Sequence, residues 1–110
     1  MTLDDLTAYG ANTEEGLVRC MGMEALYLRL AETIKTEPHF AQLHEALDAG
    51  DYKAAFEAAH ALKGVLGNLS ITPLFEPVSE LVELLRVKAD ADYPALLEPI
   101  VAKWNEFLAL

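Results

Sequence analysis

The stretch Ala58–Asn68, AAHALKGVLGN, has the composition of a helix interior, yet it places Gly64 and Gly67 one and two turns after His60. A glycine inside a helix is less favourable than alanine by about 1 kcal/mol, because glycine loses more backbone freedom on folding. Two glycines next to one histidine therefore indicate that small side chains are required at this point. The remaining sequence shows what fold carries this helix and which way the histidine points.

The size and charge of the chain limit the classes of protein to which it can belong. It has 110 residues, 53% of them hydrophobic, and we predict one domain over residues 1–110. The net charge of −10 disfavours binding to nucleic acids or to an anionic membrane surface, since both require basic side chains. The N-terminal MTLDDLTAYG lacks the apolar run of a signal peptide, and no apolar stretch is long enough to span a membrane. We therefore expect a cytoplasmic protein.

The chain divides into segments with helical periodicity, and none of them alternates as a strand would. The pairs Thr2 with Asp5 and Asn12 with Glu15 match N-terminal capping patterns, so we predict two short helices within residues 1–22. Longer amphipathic helices are predicted over residues 23–36, 38–50, 51–69, 72–88 and 92–108. Short turns between long helices predict an all-α fold: an antiparallel four-helix bundle over residues 23–110, capped at one end by the two short helices.

Prolines mark the helix starts in the second half of the chain. Thr72 is predicted to cap a helix with Pro73 in its first turn, and Asp92 is predicted to begin the last helix. Pro99 would lie inside that last helix, where a proline either kinks the helix or delays its start.

His60 is predicted to lie on the outward face of its helix. At about 100° per residue, the side chains that fall within about 60° of the side opposite His60 are Ala55, Ala58, Leu62, Val65, Leu66 and Leu69. The residues that fall within about 60° of His60 itself are Lys53, Phe56, Glu57, Lys63, Gly64 and Gly67. The apolar set faces the core, so the second set forms the surface around the histidine.

Two explanations of the glycines remain open. The missing side chains at Gly64 and Gly67 clear the surface beside the imidazole for another macromolecule, or they let a helix of the same bundle pack closely. Phe56 likewise either offers an apolar contact to a partner or packs at the edge of the core. The segment Asp51–Leu69 carries two acidic and two basic residues, so an acidic partner can approach it despite the overall charge.

Lys63 lies three residues after His60, which makes the two side chains neighbours on the helix surface. An exposed imidazole is largely neutral at cellular pH and is therefore a nucleophile. The Lys63 ammonium would stabilise the negative charge of a phosphoryl group on the imidazole; the alternative is an ordinary solvated lysine. His60 and Lys63 are thus the candidate site for phosphoryl transfer.

The sequence around this site resembles the signature of histidine-containing phosphotransfer domains, the HPt family of multistep phosphorelays. The residues of AAHALKGVLGNLSITPL that match the family pattern are His60, Leu62, Lys63 and Gly64. The preceding ALDAGDYKAAFEAAH is also similar, and the resemblance extends over residues 26–86. The sequence departs from the family at Ser70, where many members have glycine, and Gly67 supplies a small residue one turn earlier.

The resemblance implies a phosphorelay intermediate, in which His60 accepts a phosphoryl group from the aspartate of a receiver domain or passes it to one. Lys63 would stabilise the charge of that group. The partner-binding surface would comprise Lys53, Phe56, Glu57, Gly64 and Gly67. The partners would be response-regulator receiver domains or a hybrid histidine kinase, and no cofactor is expected on this chain because the receiver brings the Mg²⁺. We expect a monomeric phosphoryl carrier and not a complete kinase.

Three alternatives compete with this interpretation. No metal site is expected, because no HExxH motif occurs and Glu57 with His60 is the one Glu-x-x-His pair; His39 and His44 are interpreted as surface or edge residues of their helix. The second alternative is a helical interaction or adaptor module that binds receiver or kinase domains without carrying phosphate. The third is an obligate dimer that uses the outward face as its interface.

Overall fold

The computed structural model of the protein describes residues 1–110 and is built of helices without any strand. Its elements are α1 (Leu3–Tyr9), α2 (Thr13–Arg19), α3 (Glu24–Thr33), a 3-10 turn (Ile34–Thr36), α4 (His39–Asp48), α5 (Tyr52–Asn68), α6 (Thr72–Arg86) and α7 (Tyr93–Leu108). The all-α fold predicted from the periodicity is therefore confirmed. No helix combines the length and the apolar character needed to cross a membrane.

The helices α4 to α7 form an antiparallel four-helix bundle. Helix α5 packs against α4 and α6, and α7 closes the ring by packing against α6 and α4. Connections of only three residues join α4 to α5 and α5 to α6, so these consecutive helices run antiparallel. The sequence predicts a bundle over residues 23–110, but the ring itself begins at His39; α3 lies outside the ring and contacts α2.

The core of the bundle is formed by the helix faces that the periodicity predicts. Its buried side chains include Ala55, Ala58, Leu62 and Leu66 of α5, Leu74, Val78, Leu81 and Leu85 of α6, and Leu97, Ile100 and Phe107 of α7. Val65, which was predicted to face the core, is only half-buried. Burying one large apolar side chain stabilises the fold by about 1.5–3 kcal/mol, so these faces hold the four helices together.

Helix α1 covers one end of the bundle by packing against the last turns of α7. Its Leu6 is fully buried. The Tyr9 hydroxyl donates to the backbone carbonyl of Lys103 at 2.7 Å, and the edge of its ring contacts Phe107. Burial raises the pKa of Tyr9 well above its usual value, as expected for a phenol held between helices. The predicted capping of the bundle by a short N-terminal helix is therefore confirmed for α1.

Helices α2 and α3 cover the same end by contacting the turn between α5 and α6. The backbone amide of Asn12, the residue before α2, donates to the Ser70 carbonyl at 2.9 Å. The Tyr27 hydroxyl of α3 donates to the Leu69 carbonyl at 2.8 Å, and burial raises the pKa of Tyr27 to about 12. Gly16 of α2 lies directly on the Tyr27 ring: a Cβ at Gly16 would come within 2.5 Å of the phenol oxygen. These contacts fix α2 beside the C-terminal end of α5.

The start of α6 differs from the prediction. Ile71, not Thr72, precedes the first turn, and no side chain caps this helix; Thr72 is already helical, with Pro73 after it. The reason is packing, because the Ile71 side chain is fully buried. The Thr72 hydroxyl instead reaches the Ser70 carbonyl at 3.4 Å.

The start of α7 follows the prediction. The Asp92 side chain accepts a hydrogen bond from the Ala95 amide at 3.2 Å and caps the helix. Pro99 lies on the exposed side of α7, and the helix nevertheless begins at Tyr93. The proline therefore does not delay the start of the helix.

Candidate functional site

His60 lies near the middle of α5 with its side chain exposed to solvent. Asp51 caps the start of the helix, because its side chain accepts a hydrogen bond from the Ala54 amide at 3.1 Å. The neighbours Ala59 and Leu62 are both fully buried, so the helix has one face in the core and presents the histidine on the other. The outward orientation predicted for His60 is confirmed.

An open groove runs beside His60 toward the end of α5, and we call it the His60 groove. Four of the predicted site residues share it, namely His60, Lys63, Gly64 and Gly67. Its other walls come from the start of α6 and from α2, which contributes Glu15 and Arg19. These two side chains form an ion pair at 2.9 Å. The short N-terminal helix thus lies within the same groove as the histidine, which the sequence did not indicate.

Different features of the structure explain why Gly64 and Gly67 lack a side chain. A Cβ added at Gly64 would meet no atom within 4 Å, so the space beside the imidazole is open there. A Cβ added at Gly67 would lie 3.0 Å from the Phe75 ring of α6. Close packing against a helix of the same bundle, the second of the two explanations, therefore accounts for the missing side chain at Gly67. The open-surface explanation applies to Gly64.

Phe56 supports the imidazole from the side of the preceding turn. The rings of Phe56 and His60 are stacked, with centroids 5.6 Å apart and an angle of 27° between the planes. The Arg86 guanidinium of α6 lies over the Phe56 ring, 5.2 Å from its centroid. Phe56 is half-buried and packs against the core, so it lies at the edge of the core as well as against the histidine.

Lys63 is not a freely solvated lysine, because its Nζ lies 3.8 Å from Oε1 of Glu83 on α6. The other carboxylate oxygen of Glu83 lies 3.4 Å from Nε of Arg86. Glu83 therefore bridges the cation next to the histidine and the cation over Phe56. The Lys63 side chain is 34% exposed to solvent, so its ion pair with Glu83 is weak. Lys63 can therefore leave Glu83 and pair with another anionic group.

The remaining predicted surface residues lie elsewhere. Lys53 lines a second groove together with Phe56, between the start of α5 and the end of α6. Glu57 lines a depression on the opposite side, between α4 and α5. The predicted partner-binding residues thus occupy three adjoining areas of α5 rather than one pocket.

The backbone at Ser70 adopts a conformation that favours glycine, the residue of the family pattern at this position. Ser70 follows the end of α5 with a φ of 56°, in the left-handed region that glycine adopts without strain. Its amide donates to the Gly67 carbonyl at 3.2 Å, and its hydroxyl is buried without a hydrogen-bond partner. A glycine here would relieve the turn, so this position serves the turn. Gly67, which accommodates Phe75, does not take its place.

Sequence reasoning missed Arg86, Arg19 and Phe75. Arg86 ends α6, and its spacing from Glu83 was the available signal, since residues three apart on a helix are neighbours. How closely Arg86 and Phe75 of α6 approach α5 depends on how the two helices are rotated against each other. The periodicity of one helix shows its own buried face but not the side chain it meets across the interface.

No group of three or more histidine, cysteine or carboxylate side chains is arranged to hold a metal. The imidazole of His39 contacts the Glu37 carboxylate, and that of His44 lies 3.9 Å from Asp48. Both lie on α4, His44 exposed and His39 half-buried, as interpreted from the sequence. What the His60 site offers chemically is a solvent-facing nitrogen nucleophile with a cation one turn away.

The fold and the site together define a small helical domain that presents a histidine to solvent from its longest helix. The family model of the Hpt domain matches residues 34–109. The chain therefore belongs to the Hpt domain family, which implies a role related to phosphotransfer in two-component signalling. No curated protein and no solved structure matches the chain.

The family match confirms the resemblance and shifts its limits. The resemblance extends over residues 26–86, whereas the match begins at Ile34 and continues through α7. Helices α1, α2 and α3 precede the matched region, although α2 supplies part of the His60 groove.

Proposed function

We propose that the protein carries a phosphoryl group on His60 and exchanges it with the aspartate of a receiver domain. The observation that supports this most directly is the exposed imidazole in mid-helix with open space over Gly64. A receiver must bring its phosphorylated carboxylate to within bonding distance of the ring nitrogen. A side chain at residue 64 would reduce the room for that approach.

In the proposed step, a neutral imidazole nitrogen of His60 attacks the phosphorus of an aspartyl phosphate. The N–P bond forms while the bond from phosphorus to the carboxyl oxygen breaks, and that oxygen leaves with the electron pair as a carboxylate. The attacking nitrogen of the reactive tautomer bears no proton, so no base has to remove one first. Transfer to a receiver is the reverse of these bond changes.

Two groups of this chain assist the step. Phe56 restricts the imidazole by stacking on it, which lowers the conformational freedom lost when the partner docks. Lys63 can turn from Glu83 to the phosphoryl oxygens, because its present pair is long and partly solvated. Phosphoryl transfer depends mainly on positioning and on stabilising negative charge, and these residues would supply both.

The proposed partners are response-regulator receiver domains and a hybrid histidine kinase. The receiver would provide the aspartate and the Mg²⁺, so this chain would need no cofactor of its own. We propose that the protein acts as a monomer in the cytoplasm. Lys53, Phe56, Glu57, Gly64 and Gly67 are the proposed contact residues for the partner.

The experiment is phosphoryl transfer from a labelled receiver domain to the purified chain and to two variants. We expect label that is labile in acid and stable in alkali, as for phosphohistidine, and its loss in His60→Gln. The matched control is His44→Gln, an exposed histidine of α4, which should label like the parent. Label that persists in His60→Gln would place the site elsewhere. A receiver that binds without ever transferring label would instead support an adaptor module.

A further inference from the structure

The groove that contains Lys53 and Phe56 has an aromatic floor, and we call it the α5–α6 groove. The groove lies between the first turns of α5 and the residues that follow the end of α6. It is lined by Tyr52, Phe56 and Tyr93. The rings of Tyr52 and Tyr93 are 5.2 Å apart, and Tyr52 keeps 52% of its exposure. Exposed aromatic side chains that can bury large apolar areas are enriched at protein interfaces.

Cations surround this floor. Lys53, Arg86 and Lys88 line the groove, and Asp90 is its one carboxylate. The chain as a whole has 18 acidic and 8 basic residues, so three of the eight basic side chains are concentrated here. The His60 groove shows no such excess, because Glu15 and Glu76 balance Arg19 and Lys63. Arg86 is paired with Glu83, so Lys53 and Lys88 against Asp90 leave the α5–α6 groove with a small excess of positive charge on a strongly acidic molecule.

This groove adjoins the phosphoryl acceptor through Phe56, which lines it and also stacks on His60. Arg86 also lines the groove and lies over the Phe56 ring. It forms an ion pair with Glu83, which is also the ion-pair partner of Lys63. A partner seated here would touch the residues that hold the imidazole. The groove is thus continuous with the proposed site of transfer.

We infer that the α5–α6 groove receives a segment of the receiver domain that carries an exposed apolar side chain flanked by carboxylates. This inference rests on the proposed phosphotransfer function and names the chemistry of its partner. The apolar side chain would cover Tyr52 and Phe56, and the carboxylates would lie against Lys53 and Lys88. Such complementarity accelerates association and excludes basic partners, while the rest of the chain repels acidic ones.

The test uses a receiver domain that exchanges phosphoryl groups with the parent chain. Lys53→Glu and Lys88→Glu are compared with Arg29→Glu, which changes the net charge equally at an exposed position on α3. Each variant is also labelled with phosphoramidate, a small donor that needs no docking. We expect the kcat/KM for transfer from the receiver, divided by the rate of labelling with phosphoramidate, to fall about tenfold in Lys53→Glu and Lys88→Glu and to stay unchanged in Arg29→Glu.

Salt and an apolar variant separate the two parts of the inference. The defect of the lysine variants should shrink at about 1 M salt, where charges are screened within roughly 3 Å, whereas the defect of Tyr52→Ser should remain. Equal losses in Arg29→Glu and Lys53→Glu, or none in Lys53→Glu, Lys88→Glu and Tyr52→Ser, would overturn the inference while leaving phosphotransfer intact. If Lys53→Glu abolished self-association seen by sedimentation, the occupant would be a second copy of this chain. Failure of phosphoramidate to label His60 in the parent would count against the proposed function itself.

Discussion

Gly67 of α5 and Phe75 of α6 are in contact where the two helices converge, since a Cβ on the glycine would lie 3.0 Å from the ring. Three residues earlier, Gly64 faces open space. The two glycines therefore answer separate requirements, although both follow His60 on the same surface of the helix. Their substitutions should have different effects on stability.

Gly64→Ala should raise the free energy of unfolding by about 1 kcal/mol, because alanine is favoured in a helix interior and nothing obstructs its methyl group. Gly67→Ala should gain little or be destabilised, since the Phe75 ring must move to admit the Cβ. Urea denaturation of both variants and the parent measures the difference. Equal gains would show that Phe75 moves aside without cost.

Gly64→Gln should impair transfer from a receiver while leaving the fold intact. The longer side chain fills the space beside the imidazole, but glutamine is itself a good helix former. The measurement is the rate of transfer from a phosphorylated receiver, with phosphoramidate labelling as the control for the histidine itself. A transfer rate equal to that of the parent would show that the open surface is not used.

Lys63→Ala should shorten the lifetime of phosphohistidine at His60, whereas Glu83→Gln should lengthen it. Loss of the Lys63 ammonium removes a positive charge one turn from His60, whereas loss of the Glu83 charge frees that ammonium from its 3.8 Å pair. Exposed charge pairs contribute about 0.2–1 kcal/mol, so we expect changes up to roughly fivefold. The decay of labelled protein at neutral pH measures both. If both variants decayed at the parental rate, Lys63 would have no role in stabilising the charge.

Ser70→Gly should stabilise the protein by about 1–2 kcal/mol. Glycine relieves the left-handed backbone at φ 56° and removes a buried hydroxyl that lacks a partner, although it adds freedom to the unfolded chain. Lys88→Gly is the matched control, because Lys88 has a φ of 55° but is exposed. Its gain should be smaller. Identical gains in thermal or urea unfolding would assign the whole effect to the backbone.

Gly16→Ala should destabilise the protein by about 1–3 kcal/mol, as overpacked substitutions do. The new methyl group would overlap the Tyr27 ring, which is itself held to the Leu69 carbonyl. Measured unfolding would then show a loss where Gly64→Ala shows a gain. A neutral result would mean that α2 can shift away from α3 at little cost.

The sequence predicted the bundle well because its helices are individually amphipathic. The face of α5 opposite His60 is buried at Ala55, Leu62 and Leu66, as a spacing of 3.6 residues per turn requires. Capping also held where the side chain is exposed, as at Asp92. The capping prediction was wrong at Thr72, because the neighbouring Ile71 is buried in the core and the helix already includes Thr72.

The site was predictable in its nucleophile and less so in its surroundings. His60 and its exposure followed from one helix, but the contacts Phe75–Gly67 and Arg86–Phe56 join two helices. Such contacts depend on the rotation and axial offset of one helix relative to the other. The glycine spacing alone cannot show that Gly64 faces open space while Gly67 packs against Phe75.

The bond from Tyr9 to Lys103 has a consequence for the order in which the chain folds. The two residues are 94 positions apart, so α1 finds its hydrogen-bond acceptor only after the segment up to α7 has been synthesised. A seven-residue helix is unstable by itself in water, which leaves it unstructured until α7 docks. Contacts of such long range tend to form late in folding, so the N-terminal segment should be the last to gain protection from hydrogen exchange during refolding.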